Sequence, residues 1–276
     1  MLSWLLNLGR TVLGAITHLF ANGDPYVPVP TLQESCVAHY KMNDNLPTKV
    51  VLDSSGNGYH GESIRNTEDM SIEGKVGGAL DFNGTTDYVD TGQTFQSTFQ
   101  SDFSVSLWCK ANSFSGSIDS TLFGAYDASE SGLLCKRQTN DTILFYYDEP
   151  SSGVDLTVDY ELLVSTWYHI VCMVEQINPT SITISLYING ILRNSKTAAS
   201  VMNRFVNTKN LCIGNFNNNG IFNLPFDGSI DNFMLFNKAL NQEEIWTLYN
   251  SGRGTEDFQL TPNLNFDGSA LIMEGI

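Results

Sequence analysis

The sequence predicts an all-β fold, a two-sheet antiparallel jelly-roll sandwich, preceded by an N-terminal amphipathic helix. Three observations carry this. From about Ser35 onward, short alternating or β-branched apolar runs are broken every few positions by Gly, Asn, Asp and Ser, the mark of many short strands joined by turns. The body offers one clear helical stretch, Asn241 to Tyr249. Ahead of the strands, residues 1–21 place their apolar side chains at three- and four-residue steps rather than two.

The bulk numbers agree. At 276 residues the chain holds one large sandwich plus tails, with 42% hydrophobic and 11% aromatic content to fill a core. Thirty acidic residues stand against 14 basic ones, a net charge of -16 with no Lys/Arg cluster. A nucleic-acid groove needs phosphate-neutralising cations, so that partner class is excluded; an acidic surface suits solubility and hard cations such as calcium. Cys36, Cys109, Cys135, Cys172 and Cys212 are odd in number, widely spaced and set in apolar runs. They read as buried free thiols, which points to synthesis in a reducing cytosol.

The first domain-level segment is residues 1–34. Asn7, Gly9, Arg10, Thr11 and His18 interrupt its apolar run, so it forms neither a signal-peptide core nor a span of roughly 20 apolar residues. No cleaved leader and no membrane contact are therefore expected. Leu2, Leu5, Leu6, Val12, Leu13, Ile16 and Phe20 instead share one face of a helix ended by Asn22-Gly23. That stripe packs on its own domain or docks into a partner protein's groove. Asp24-Pro25-Tyr26-Val27-Pro28-Val29-Pro30 follows as a stiff, extended spacer.

The second segment, 35–254, is the jelly roll. Strands are predicted at Phe103–Trp108, Thr142–Tyr147, Trp167–Val174, Ser181–Ile188 and Ile230–Phe236. Asn189-Gly190 tolerates the positive φ angles of a type I′ hairpin. The late helix is capped by Asn241 and stopped near Gly252. Residues 255–276 form a tail with apolar spots but no period, a second candidate docking segment.

The loop Asp53-Ser54-Ser55-Gly56-Asn57-Gly58-Tyr59-His60-Gly61 resembles the D-x-S-G-N-x-x-x-G opening of laminin-G-like domains of the concanavalin-A-like lectin/glucanase superfamily. Gly77-Gly78-Ala79-Leu80-Asp81-Phe82-Asn83-Gly84 with Tyr88-Val89 is similar to that family's G-x-A-L-x-F-x-G-x-x-x-Y-V segment. Phe103–Trp108, Trp167-Tyr-His169-Ile-Val, Leu186-Tyr-Ile-Asn189-Gly190, Leu211-Cys-Ile-Gly214, Phe226-Asp227-Gly228-Ser-Ile230-Asp231-Asn232-Phe233 and the helix from Ala239 follow in the family's order, over about residues 36–251. Most of these positions are glycine turns and core residues. The resemblance therefore implies the fold more firmly than a task.

Asp53 and Asn57 sit in a Gly/Ser loop able to bend around calcium, which takes carboxylate, amide and carbonyl oxygens. The resemblance would bring Asp231 beside them, where the first and last strands meet. The same residues also serve as Asx-turn formers without any metal. For a sugar ligand, stacking aromatics and amide or carboxylate partners are available at Tyr126, Tyr146, Tyr147, Asp148 and, in an Asn-rich loop, Asn217 and Asn218.

Catalysis is not expected. The superfamily's glucanases carry their carboxylates on an E-x-D-x-x-E strand, a motif absent here. The nearest alternation, Asp155, Asp159 and Glu161, reads as a solvated strand face, and His18, His39, His60 and His169 lie in no nucleophile motif.

Arm, spacer, thiols and a lectin-like body together predict a structural or decoration subunit of a larger assembly. A virus capsid or tail is the assembly expected, with the virion surface as location and glycan attachment as a possible task. The alternatives are a free or cell-surface carbohydrate-binding adhesion module and, behind it, a glycoside hydrolase of the same fold.

Overall fold

The structure, a computed structural model, describes residues 31–256 apart from 115–117, 127–130, 151, 219–221 and 223. The arm stripe Leu2 to Phe20 and the tail beyond Glu256 lie outside the described residues. The chain opens with α1 (Leu32–Ser35), β1 (Cys36–Tyr40), β2 (Val50–Val51), β3 (Gly61–Ser63), β4 (Ser71–Glu73), β5 (Gly78–Asn83), β6 (Val89–Asp90) and α2 (Gln96–Phe99). Five longer strands follow: β7 (Phe103–Ala111), β8 (Ser120–Tyr126), β9 (Gly132–Arg137), β10 (Thr142–Glu149) and β11 (Ser152–Asp159). Then come β12 (Tyr168–Asn178), β13 (Ser181–Ile188), β14 (Ile191–Ala199), β15 (Cys212–Ile213), β16 (Asn217–Asn218), β17 (Asp227–Phe236) and α3 (Gln242–Tyr249).

Among the described residues these strands make two antiparallel sheets, apart from one short parallel contact of β16 with β8. Sheet A runs β14-β13-β12-β7-β17-β5-β4, with β1 also on β17. Sheet B runs β11-β10-β9-β8-β15-β6-β3-β2, with β16 beside β8. Chain neighbours β7 and β8 belong to different sheets, and β17 enters sheet A between β7 and β5. This is the jelly-roll sandwich that the alternation pattern predicts.

The main core lies between the sheets. Phe103, Val105, Leu107 and Cys109 of β7 face Phe123, Cys135, Phe145 and Tyr147 of sheet B within one cluster. Ring contacts such as Phe123 with Phe233 (5.7 Å between centroids, 74°) knit the two layers together. A second cluster sits on the opposite face of sheet A. There Leu32, Cys36, Val171, Met173, Met234 and Phe236 pack against Leu240, Ile245 and Leu248 around α3. Strand β7 is consequently buried on both faces, which explains why its alternate residues are the small Ser104 and Ser106.

Local chemistry fixes the turns. Asn189 (φ 53°) and Gly190 (φ 76°) close the β13–β14 hairpin with two left-handed residues, as predicted. The side chain of Asn241 accepts the Glu244 backbone N–H, and the Glu244 carboxylate accepts that of Asn241, a complete capping box. Asn250 ends α3 in the left-handed region. All five cysteines are free and buried. At the ends of the described body, Leu32 is buried and Glu256 is held by Lys41 and Asn43.

Candidate functional site

The two sheets expose their outer faces differently. On sheet A the register sets Asp231 opposite Trp108 and Trp108 opposite His169, a polar row across β17, β7 and β12. All three are almost completely buried. Tyr249 of α3 stacks over both Trp108 (5.8 Å, 18°) and His169 (5.9 Å, 24°), while the Lys75 ammonium lies 4.9 Å from the Trp108 ring. His169 Nε2 pairs with Ser106 Oγ at 2.8 Å, and burial drives its imidazole down to about 3. Helix and turns therefore seal this face.

Sheet B presents a continuous outer row. Reading the register across eight strands gives Asp155, Tyr146, Leu134, Gly124, Cys212, Asp90, Glu62 and Val50. Adjacent residues in each strand point inward to the core, as the period of two demands. The middle of the row is covered. A side chain at Gly124 would meet Phe216 Cβ at 2.8 Å and Leu134 Cβ at 2.9 Å, and Cys212 is fully buried. Two separate surfaces remain, one at each end.

At the β2–β3–β6 end lies a groove of about 780 Å³, lined by residues of those three strands and by His60, Ile64, Tyr88 and Gly92. Tyr88 forms its aromatic wall and stacks on Phe222 at 4.2 Å and 6°. Partial burial raises the Tyr88 phenol above its ordinary value, with Asp90 and Glu62 adding to the effect. Glu62 and Asp90 are cross-strand partners, so two carboxylates stand side by side as acceptors. His60 Nδ1 accepts the Asp53 backbone N–H at 3.0 Å, which leaves the neutral ring's Nε2–H as a donor. An aromatic ring, two acceptors and an imidazole in the lining of one concavity are the elements that hold a polyol.

At the opposite end, Tyr126 and Tyr146 approach at 6.2 Å and 56°, and Tyr126 meets Phe216 edge-on at 6.4 Å. Tyr126 lies across Gly132, where any side chain would collide with the ring. Tyr146 and Asp148 hydrogen-bond over Gly153, and partial burial raises the Asp148 carboxyl. Three of the sequence-predicted ligand residues, Tyr126, Tyr146 and Asp148, are thus brought onto one surface. Tyr147 is a correction. Its side chain points into the core, fully buried, and its hydroxyl donates to the Phe99 carbonyl at 2.8 Å. Asn217 and Asn218 form β16, paired with Ala125 and Tyr126 of β8; their side chains lie outside the description.

The calcium expectation meets a crowded loop. Asp53 Oδ1 accepts the backbone N–H groups of His39 and Ser55, and Oδ2 accepts Ser55 Oγ and the Tyr59 N–H. These bonds outweigh burial and hold its carboxyl below the usual carboxylate range. Asn57 Nδ2 donates to the carbonyls of Cys36 and Val37. Asp231, on β17, is tied to another turn: its Oδ2 accepts the N–H groups of Lys75 and Val76, and its buried Oδ1 has no partner among the described residues. Among the described residues no three His, Cys, Asp or Glu side chains converge as a metal cage. Asp53 thus serves the Asx-turn role that its residue type also predicts, and an ion bound there would have to displace some of these donors.

The groove residues Glu62, Tyr88, Asp90 and His60 escape sequence reasoning. β2, β3 and β6 are two or three residues long, too short to display alternation. The usable signal was Tyr88-Val89-Asp90, a Tyr and an Asp flanking an inward Val.

Residues 83–246 match the family model Laminin_G_3, described as belonging to the concanavalin A-like lectin/glucanases superfamily. No curated protein matches. Among solved structures, domain 4 of AbnA, a GH43 extracellular arabinanase from Geobacillus stearothermophilus in complex with arabinotriose, is 20% identical with a TM-score of 0.57, over 80% of this chain and 98% of that one. The CBM40 of the Ruminococcus gnavus IT-sialidase, bound to α2,3-sialyllactose, is 13% identical with a TM-score of 0.52, over 60% of this chain and 94% of that one. The binding domain of botulinum neurotoxin DC in complex with rat synaptotagmin II is 15% identical with a TM-score of 0.60; 80% of this chain is covered but only 52% of that one. These likenesses show the shared sandwich. With the family model matching more than half its length in this order of strands, the chain belongs to the laminin-G-like family of the concanavalin A-like lectin/glucanase superfamily.

Proposed function

We propose that this chain is a non-catalytic, lectin-like module displayed on a larger assembly, a virus particle being the assembly expected, and that its task there is glycan attachment. The observation that carries the glycan reading is the groove at the β2–β3–β6 end, where the Tyr88 ring, the Glu62 and Asp90 acceptors and the His60 donor converge. Stacking on an apolar ring with a few aimed polar groups is the chemistry a sugar ring requires. Two neighbours of the fold carry a sugar in their structures, arabinotriose and α2,3-sialyllactose, which supports the same ligand class here.

A glycan array probed with wild type and Tyr88→Ala tests this. Retention of at least one glycan class, lost by about tenfold in Tyr88→Ala, is expected without any sugar release; silence across the array sinks the reading. Display is supported by the sequence of residues 1–34, an apolar stripe on a stiff proline spacer. Full-length chain should co-purify with its assembly at the virion surface and a chain lacking residues 1–30 should not. Equal incorporation of both would refute display and leave the adhesion-module alternative.

A further inference from the structure

The groove has an aromatic wall on its inner side and a strand edge on its outer side. Its floor is the outer face of three strands, which at about 4.8 Å per strand spacing is roughly 10 Å across, room for one or two sugar rings. On the inner side Tyr88 closes it, braced against Phe222 at 4.2 Å. The next strand beyond, β15, offers nothing, since Cys212 is fully buried there. On the other side stands β2, the terminal strand of sheet B. Val50, which points outward in register with Glu62, is 44% exposed at that lip.

Charge narrows the ligand further. Glu62 and Asp90 face each other across the strand pair with no ion pair to either among the described residues, and Asp90 Oδ1 is fixed by the Gly92 N–H at 2.8 Å. An anionic sugar would meet this pair directly and be repelled; among the described lining residues Lys49 is the one lysine or arginine. Uncharged hydroxyls can donate to both carboxylates and accept from the His60 Nε2–H.

Resting on the glycan-binding reading above, we propose that this groove seats the terminal one or two sugars of a neutral glycan, with the remaining chain leaving over Val50. It is an end-reader and not a cleft for the interior of a polysaccharide.

Calorimetric titration of the full chain with neutral arabino-, xylo-, gluco- and galacto-oligosaccharides of two to six units, alongside sialyllactose, tests this. Affinity should reach its plateau at two units, with longer chains gaining less than about threefold, and methylating the hydroxyls of the terminal ring should abolish it. Asp90→Asn and Tyr88→Ala should each weaken binding about tenfold, and Ile177→Ala, an exposed side chain on β12 of the other sheet, should leave it unchanged. Affinity that climbs steadily to six units, or a preference for sialyllactose, overturns end-reading or neutrality while the lectin reading stands. Failure to bind any oligosaccharide overturns both.

Discussion

The outer face of sheet A and the outer face of sheet B start from the same kind of strand and end differently. On sheet A, α3 and the turn around Gly254 lie over Trp108, His169 and Asp231, so polar groups are trapped and apolar ones join a second core. On sheet B only the centre is covered, and the β2–β3–β6 end stays open with its carboxylates wet. A jelly roll thus has two faces to spend, one on stability and one on recognition, and the helix decides which is which.

The sharpest way to break that contrast is to empty the sealed side. Phe236→Ala, fully buried beneath α3, should cost about 3–5 kcal/mol by urea denaturation, while Tyr88→Ala should cost far less and remove ligand retention instead. Comparable losses from both would mean that the open face is structural too.

Asp231 sharpens it next. Burial raises its carboxyl to about 7 in the fold, against 3.8 for the ordinary group. The folded state therefore binds a proton more tightly than the unfolded one, and this stabilisation is complete below about pH 4 and lost as pH rises to about 7. Asp231→Asn, which can still accept from Lys75 and Val76, should flatten that slope and raise stability at pH 8 by on the order of a few kcal/mol. A wild type equally stable at pH 5 and pH 8 would contradict this.

A smaller effect separates the neighbours Tyr146 and Tyr147. Tyr147→Phe strips the buried Phe99 carbonyl of its donor and should cost about 1–3 kcal/mol. Tyr146→Phe, on the outer face, should stay within about 0.5 kcal/mol. Reversal of that order would place the strand in the opposite register.

The smallest expected effect is that of calcium. With Asp53 already accepting four donors, EDTA should leave the melting temperature unchanged, and a clear drop would restore the ion.

How much of this was legible depends on how local each cause is. The Asn189-Gly190 hairpin and the Asn241 capping box need only a few adjacent residues, and both appear as read. β13 has its predicted limits because Ser181 to Ile188 alternates over eight residues. Tyr147 failed for want of phase. Ile143, Phe145 and Tyr147 share the inward face, and Asp148 marks the outward one, so the phase of the strand is present in the sequence. The groove was hidden for a different reason. Residues from 49 to 92 become one surface only because β6, β3 and β2 pair at the end of sheet B, and strands of two or three residues carry no trace of their partners. Asp53 shows a third case, in which turn and metal chemistry use the same residue types and only the count of occupied lone pairs tells them apart.

The five buried cysteines carry a practical meaning. Burial pushes the Cys36 thiol up to about 12 and raises Cys109 and Cys172 as well, so the reactive thiolate is scarce while the chain is folded. Cys109, Cys135 and Cys172 lie in the core between the sheets, so their alkylation must wait for the sandwich to part. Cys109 and Cys172 in sheet A and Cys135 in sheet B sit within reach of one another, which makes a pulse of iodoacetamide a clock for opening of the protein, readable by mass without any added label.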